Sequence, residues 1–269
     1  MAAPSTSYKI YPLGDSAITL DLGNVIDEYH NIQALAVHDW LQAHRFPGLL
    51  DIIVAYSSVS VFYDPAVVRA SEIECPHGAA RWVEELLARG WREVAGRGLS
   101  AGEVAQVSGA SGAGVSDRAG GQTPGRRSGH SFRIPVCYDR EFGPDLPWVA
   151  AQKGLAIPAV IELHCAAVYR VYMIGFLPGF AYMGIIPDEL RLPRKERPVP
   201  VAAGGVGIAG MQTGIYPLNS PGGWQIIGRT PLKLFDPMQD PPIHLQTGDH
   251  VQFYSISPSE FRELAGRHV

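Results

Sequence analysis

Cysteine is scarce, and its spacing is uninformative. Cys75, Cys137 and Cys165 are the three in the chain, no two of them form a C-x-x-C pair, and nothing supports a disulfide framework or a cysteine-rich zinc site. H-E-x-x-H and other compact metal signatures are missing, so no metal site is expected. The chain lacks any apolar run near the ~20 residues of a membrane span, and the opening MAAPSTSYKIYPLGD has neither a basic n-region nor an apolar h-region. A cytoplasmic protein is the expectation. Charge excess is also lacking: a net charge of -4 gives no reason to expect nucleic acid or an anionic membrane as partner. Neither G-x-x-x-x-G-K-[ST] nor G-x-S-x-G occurs, which removes a P-loop and a nucleophile elbow.

What is present divides the chain. Its 269 residues exceed a usual domain of ~100–150, so two compact units are expected. The strongest punctuation is a Gly/Ser/Ala-rich stretch without aromatics, read as a linker over residues 96–130. It separates a first domain over 1–95 from a second over 131–269. Within it Arg118, Arg126 and Arg127 form either a basic docking patch or part of a solvated tether.

In the first part, alternation predicts strands over 8–11, 18–22, 49–55 and 59–63. Ile32, Leu35, Ala36 and Trp40 mark one helix, residues 73–89 a second, and residues 91–94 a returning strand. That pattern is a small α+β layer of helices on an antiparallel sheet. In the second part a strand over 132–138 precedes helices over 145–153 and 158–168. Ile157, Val160, Ile161, His164 and Val168 recur as one helical face, so His164 is expected to point inward. Beyond it, short apolar pieces at 171–176, 206–209, 225–228, 232–235 and 250–254 alternate with Gly and Pro, the pattern of a β-barrel or sandwich with long loops.

Chemistry-bearing residues concentrate between 175 and 231. GFLPGFAYMG places Phe176, Phe180 and Tyr182 on a kinked chain, either a contact surface or a corner of the barrel core. Gln212, Thr213, Tyr216, Asn219, Ser220, Gln225, Arg229 and Thr230 add polar groups expected to gather at one mouth of the barrel. Arg229 has the planar fork that grips a carboxylate or phosphate, or else ties loop carbonyls together. Gly205 to Gly210 spells G-x-G-x-x-G, but Gly214, Pro217 and Pro221 follow too soon for the helix a dinucleotide turn must open. Glu141 and Asp145 in EFGPDL are either paired acids or, for Asp145, a helix N-cap.

The strings EFGPDL, LHCAAVYRVYMIGFLPGFAYMG and VGIAGMQTGIYPLNSPGGWQIIGRTPLKLFD resemble the family of the 5-oxoprolinase B subunit, also called allophanate hydrolase subunit 1, which includes the histidine-kinase inhibitor KipI. The resemblance, with PLGDSAITLDLG near the start, spans both domains. It implies a ferredoxin-like α+β domain followed by a cyclophilin-like β-barrel, hence an α+β fold class. It implies partners, the C and A subunits of 5-oxoprolinase, and a joint reaction that opens the lactam 5-oxo-L-proline to L-glutamate using ATP at the level of the complex. Phosphorylating the lactam oxygen would make the ring carbon electrophilic. Catalytic candidates are then His164, Gln212 and Arg229. Candidates for substrate or partner binding are Phe176, Phe180, Tyr182, Gly207, Gly210, Thr213, Tyr216, Ser220 and Trp224. The same resemblance carries two other readings, a KipI-like inhibitor of a sensor kinase and part of a urea-carboxylase-like carboxyltransferase module.

Overall fold

A computed structural model describes residues 8–97 and 129–266. The chain divides into two compact units, Met1–Arg127 and Ser128–Val269. The expected linker lies for the most part outside the described residues, as do Arg118, Arg126 and Arg127.

The first unit is a four-stranded antiparallel sheet covered by helices. β1 (Lys9–Pro12) and β2 (Ala17–Asp21) form a hairpin, α1 (Glu28–Ala43) follows, and β3 (Leu49–Val54), β4 (Ser58–Tyr63), α2 (Pro65–Ala70) and α3 (Ala79–Gly96) complete the unit. The order across the sheet is β1-β2-β4-β3. In β4 alternation buries Val59, Val61 and Tyr63. They meet Ala34, Val37, Trp40 and Leu41 of α1 and Val83, Leu87, Trp91 and Val94 of α3 in one core. Each large apolar side chain, fully buried, contributes ~1.5–3 kcal/mol. Asp27 starts α1 by accepting the His30 N–H at 2.9 Å, and Asp64 starts α2 by accepting those of Ala66 and Val67.

Residues 91–94 do not return as a strand. Val83, Leu87, Trp91 and Val94 continue one helical stripe, so burying them keeps α3 helical to Gly96. The sheet edge that a returning strand would take in a ferredoxin-like arrangement is filled by β1, paired Lys9↔Asp21 through Pro12↔Ile18.

The second unit is a closed seven-stranded barrel. Its elements are β5 (Ser131–Cys137), α4 (Leu146–Lys153), α5 (Ile157–Ala166), β6 (Val168–Ile174), β7 (Ala181–Gly184), a 3-10 turn (Asp188–Leu190), β8 (Val199–Val201), β9 (Gly205–Ala209), β10 (Gln212–Ile215), β11 (Ser220–Gly222), β12 (Gln225–Arg229), β13 (His250–Ile256) and α6 (Pro258–Gly266). The barrel runs β10-β7-β6-β13-β5-β12-β9, and β8 and β11 form a separate ribbon. β13 pairs parallel with β5. Val171, Met183, Val206, Ile208, Ile215, Ile227, Val251 and Phe253 fill the interior with Val149 of α4 and Val160 of α5.

The helix expected to reach residue 168 stops at Ala166, and Val168 opens β6. Residues 232–235 form no regular strand; Phe235 makes a single bridge to Ile243.

Candidate functional site

The outer wall of the barrel between β7 and β12 has an unusual composition, set by strand alternation. Ala181 and Met183 of β7, Ile215 of β10, Val206 and Ile208 of β9 and Ile227 of β12 point into the barrel. The opposite face therefore receives Tyr182, Gly214, Gly207 and Ile226, which the register aligns in one row across four strands. Two glycines in the middle leave a shallow bed. The Trp224 side chain lies in it: a Cβ added at Gly214 would stand 3.0 Å from Trp224 Cζ3 and 3.1 Å from Phe180 Cζ, and one at Gly207 would stand 3.0 Å from Trp224 Cβ. The G-x-G-x-x-G string is thus a strand in which Gly207 makes room for Trp224 and Gly205 for Val201, ending at Gly210 in the β9–β10 turn with φ 58°.

On this bed the rings form a second small core with Val201 and Ala209. Ring centroids of Phe180 lie 4.6 Å from Tyr182, 5.0 Å from Tyr216 and 5.5 Å from Trp224, and Tyr182 lies 5.8 Å from Trp224. Phe176 meets Phe180 edge-on at 5.7 Å. It is 63% exposed and holds φ 68°, a conformation an aromatic residue adopts at a cost of about 1–3 kcal/mol. Burial of Phe180 and Trp224 keeps the platform rigid, while Phe176 and part of Tyr182 face solvent.

A cationic loop borders the platform. The Arg194 guanidinium lies 5.9 Å over the Trp224 ring. Lys195 N donates to the Gly223 carbonyl at 2.7 Å, Gln225 Nε2 donates to the Pro193 carbonyl at 3.2 Å, and Lys195 Nζ pairs with Asp145 Oδ2 at 2.5 Å. Asp145 Oδ2 also accepts the Ile226 N–H at 2.6 Å. Asp145 stands at the start of α4 but makes no side-chain cap there. Its carboxylate goes to β12 and Lys195, which corrects the N-cap reading. Glu141, the other acid of EFGPDL, pairs with Arg262 at the surface and is no partner of Asp145. Burial raises the phenol pKa of Tyr182 and of Tyr216, with the Arg194 charge opposing it in both cases. Both phenols stay protonated at neutral pH.

The single mouth expected for the polar residues is not what forms. Gln212 pairs with Ala209 at one end of β9, and Arg229 pairs with Gly205 at the other; four strand residues separate those ends by about 13 Å. Arg229 Nε donates to the Ala203 carbonyl at 2.7 Å, and the guanidinium lies 5.8 Å over Phe261. It ties a loop to the barrel end. Phe180 belongs to the aromatic bed, Tyr216 and Trp224 join it, and Ser220 on β11 has a buried Oγ with no hydrogen-bond partner among the described residues.

His164 sits inside the barrel end, fully buried. Tyr138 Oη lies 2.7 Å from its Nδ1 and Thr213 Oγ1 lies 3.0 Å from its Nε2, while Thr213 Oγ1 donates to the Gly207 carbonyl at 3.1 Å. That pattern makes Nε2 the protonated nitrogen and Nδ1 the acceptor of the tyrosine proton. Phe253 stacks on the ring at 4.6 Å. Burial lowers the pKa to about 3. A neutral, enclosed imidazole with both nitrogens engaged packs as a core residue, with Thr213 as its buried partner.

Among the described residues no cluster of three or more His, Cys, Asp and Glu is arranged to hold a metal ion. The glycine string offers no phosphate cradle either. The positions a Cβ would take at Gly204, Gly205 and Gly207 are filled by the Thr230 carbonyl, Val201 and Trp224. The N–H groups of Gly204 and Gly205 are already given to the Tyr216 and Ala202 carbonyls, which leaves neither as a donor for a phosphate. Arg194 and Lys195 were missed by sequence reasoning; the available signal was the Pro-flanked basic run LPRKERP.

A family model for the carboxyltransferase domain, subdomain C and D, matches residues 8–245. The chain is similar to the 5-oxoprolinase B subunit of Bacillus subtilis (strain 168), 39% identical over 255 residues, which is 94% of this chain and 95% of that protein. It is also similar to the 5-oxoprolinase B subunit of Escherichia coli O157:H7, 54% identical over 123 residues, 45% of this chain and 56% of that protein. Among solved structures, TTHA0988 superposes with a TM-score of 0.66 at 33% identity, over 90% of this chain and 40% of its own, so this chain spans about two fifths of it. The urea carboxylase of Kluyveromyces lactis shares the fold, with a TM-score of 0.70 at 16% identity over 98% of this chain and 23% of that one. End-to-end identity over both units, with the platform strings inside it, means that this chain belongs to the family of the 5-oxoprolinase B subunit.

Proposed function

We propose that this chain is the B subunit of a heteromeric, ATP-dependent 5-oxoprolinase, acting with the A and C subunits in the cytoplasm to open 5-oxo-L-proline to L-glutamate. The observation that carries it is the match to the Bacillus subtilis 5-oxoprolinase B subunit over 94% of this chain and 95% of the relative. An isolated chain without turnover fits the site. His164 is sealed, Arg229 is committed to a loop carbonyl, and the glycine string has no room for phosphate.

This chain's part is recognition. The platform of Phe176, Phe180, Tyr182, Tyr216 and Trp224 gives a rigid aromatic surface, and aromatic and arginine side chains are those that anchor interfaces. On this reading the platform lies against the C subunit and shapes a shared site from outside the barrel.

Co-purification tests it. A tagged chain expressed with the A and C subunits is expected to retain both through washing. Failure to retain either, with inhibition of sensor-kinase autophosphorylation by the isolated chain, would move it to the kinase-inhibitor class.

A further inference from the structure

We infer that Arg194 is a carboxylate-recognition residue, and that the Asp145–Lys195 pair is what positions it. Three observations meet at this place. First, the guanidinium lies over the Trp224 ring at 5.9 Å and has no ion pair among the described residues. Stacking on an indole leaves the edges of the fork for a planar anion, which it binds through two parallel N–H donors. Second, the loop that carries it is held at three points, by the Gly223 carbonyl, by Gln225 and by Asp145. Little freedom is left to lose on binding. Third, the neighbouring cation is already neutralised: Lys195 is spent on Asp145, so the attraction at this edge belongs to Arg194. Tyr182, whose ring lies 5.8 Å from that of Trp224, and Tyr216 belong to the same aromatic cluster as Trp224.

The ligand class is a planar carboxylate attached to a small flat body that lies against the platform. The lactam acid 5-oxo-L-proline has both parts. An acidic side chain of a partner protein offers the same group, so two arms distinguish the sources. The inference rests on the platform being the working surface of a 5-oxoprolinase component.

In the first arm, calorimetry on the full chain uses 5-oxo-L-proline and pyrrolidin-2-one, the same ring without the carboxylate. Binding is expected for the acid and not for the neutral lactam. Arg194→Gln is expected to weaken it by about tenfold or more, the scale of a lost charge-assisted pair, with partial recovery in Arg194→Lys. In the second arm, assembly with the A and C subunits is titrated; a partner's carboxylate predicts a similar loss in Arg194→Gln that shrinks at high salt. Lys195→Met is expected to raise the KM of the reconstituted complex with kcat unchanged, and Lys195→Arg to restore it. A loss in either arm supports the inference. Wild-type binding of the acid and assembly that are both indifferent to Arg194→Gln overturn it, even where the wild-type complex turns over. Absence of turnover with the wild-type chain overturns the proposed function instead, and the first arm still decides the role of Arg194.

Discussion

At the scale of the residue, His164 shows how burial sets chemistry. Its ring is enclosed, its Nδ1 accepts from Tyr138, and its Nε2 faces Thr213. Charging it would strand a cation in the barrel, so the folded-state pKa falls to about 3 from 6.5. Between those values the unfolded chain binds a proton that the native chain refuses. The stabilisation is therefore full above pH 6.5 and is lost progressively as pH falls toward 3. Nitrogen-15 NMR of the imidazole is expected to show the Nε2–H tautomer unchanged from pH 7 to pH 4. A titration midpoint near 6.5 would show that the ring is accessible. The inward direction of His164 was legible from apolar spacing on its helix. Its partners were not, because Tyr138 and Thr213 lie 26 and 49 residues away in sequence, and local periodicity carries no such information.

At the scale of the element, the platform depends on what two strands leave out. Gly214 and Gly207 lie side by side in adjacent strands, and the Trp224 ring uses the space. Gly214→Ala is expected to destabilise the second unit by about 1–3 kcal/mol, since the new methyl meets Trp224, Phe180 and the Ala181 carbonyl at 3.0–3.1 Å. The checks are a lower urea midpoint at unchanged slope and a shift in tryptophan emission. A stable variant with wild-type emission would mean that the rings are not packed on this bed. Sequence reasoning found the glycine string and refused it a Rossmann turn, because the prolines after it are local. It could not find the bed, which exists only once four strands fix their register. The reverse held for α3: its stripe of Val83, Leu87, Trp91 and Val94 was in the sequence, but the expectation of a returning strand broke it at residue 91. The hairpin partner β1 had already filled that edge.

At the scale of the whole molecule, the two units are an α+β layer and a closed barrel, the classes that the family resemblance implies. The distribution of polar groups was misjudged for a physical reason. Gln212 and Arg229 are near in sequence, yet antiparallel pairing through β9 sends them to opposite ends of the barrel. Their replacement at the outer wall is Arg194, on a loop that two backbone-carbonyl bonds and one ion pair hold beside Trp224. On the reading proposed above, the rigid aromatic face, rather than the sealed histidine, is what this chain brings to a reaction shared with other subunits. The decisive measurement is L-glutamate released from 5-oxo-L-proline and ATP by the purified A and C subunits, with this chain present and with it omitted. The account predicts release only when the chain is present, and equal release in its absence would contradict it.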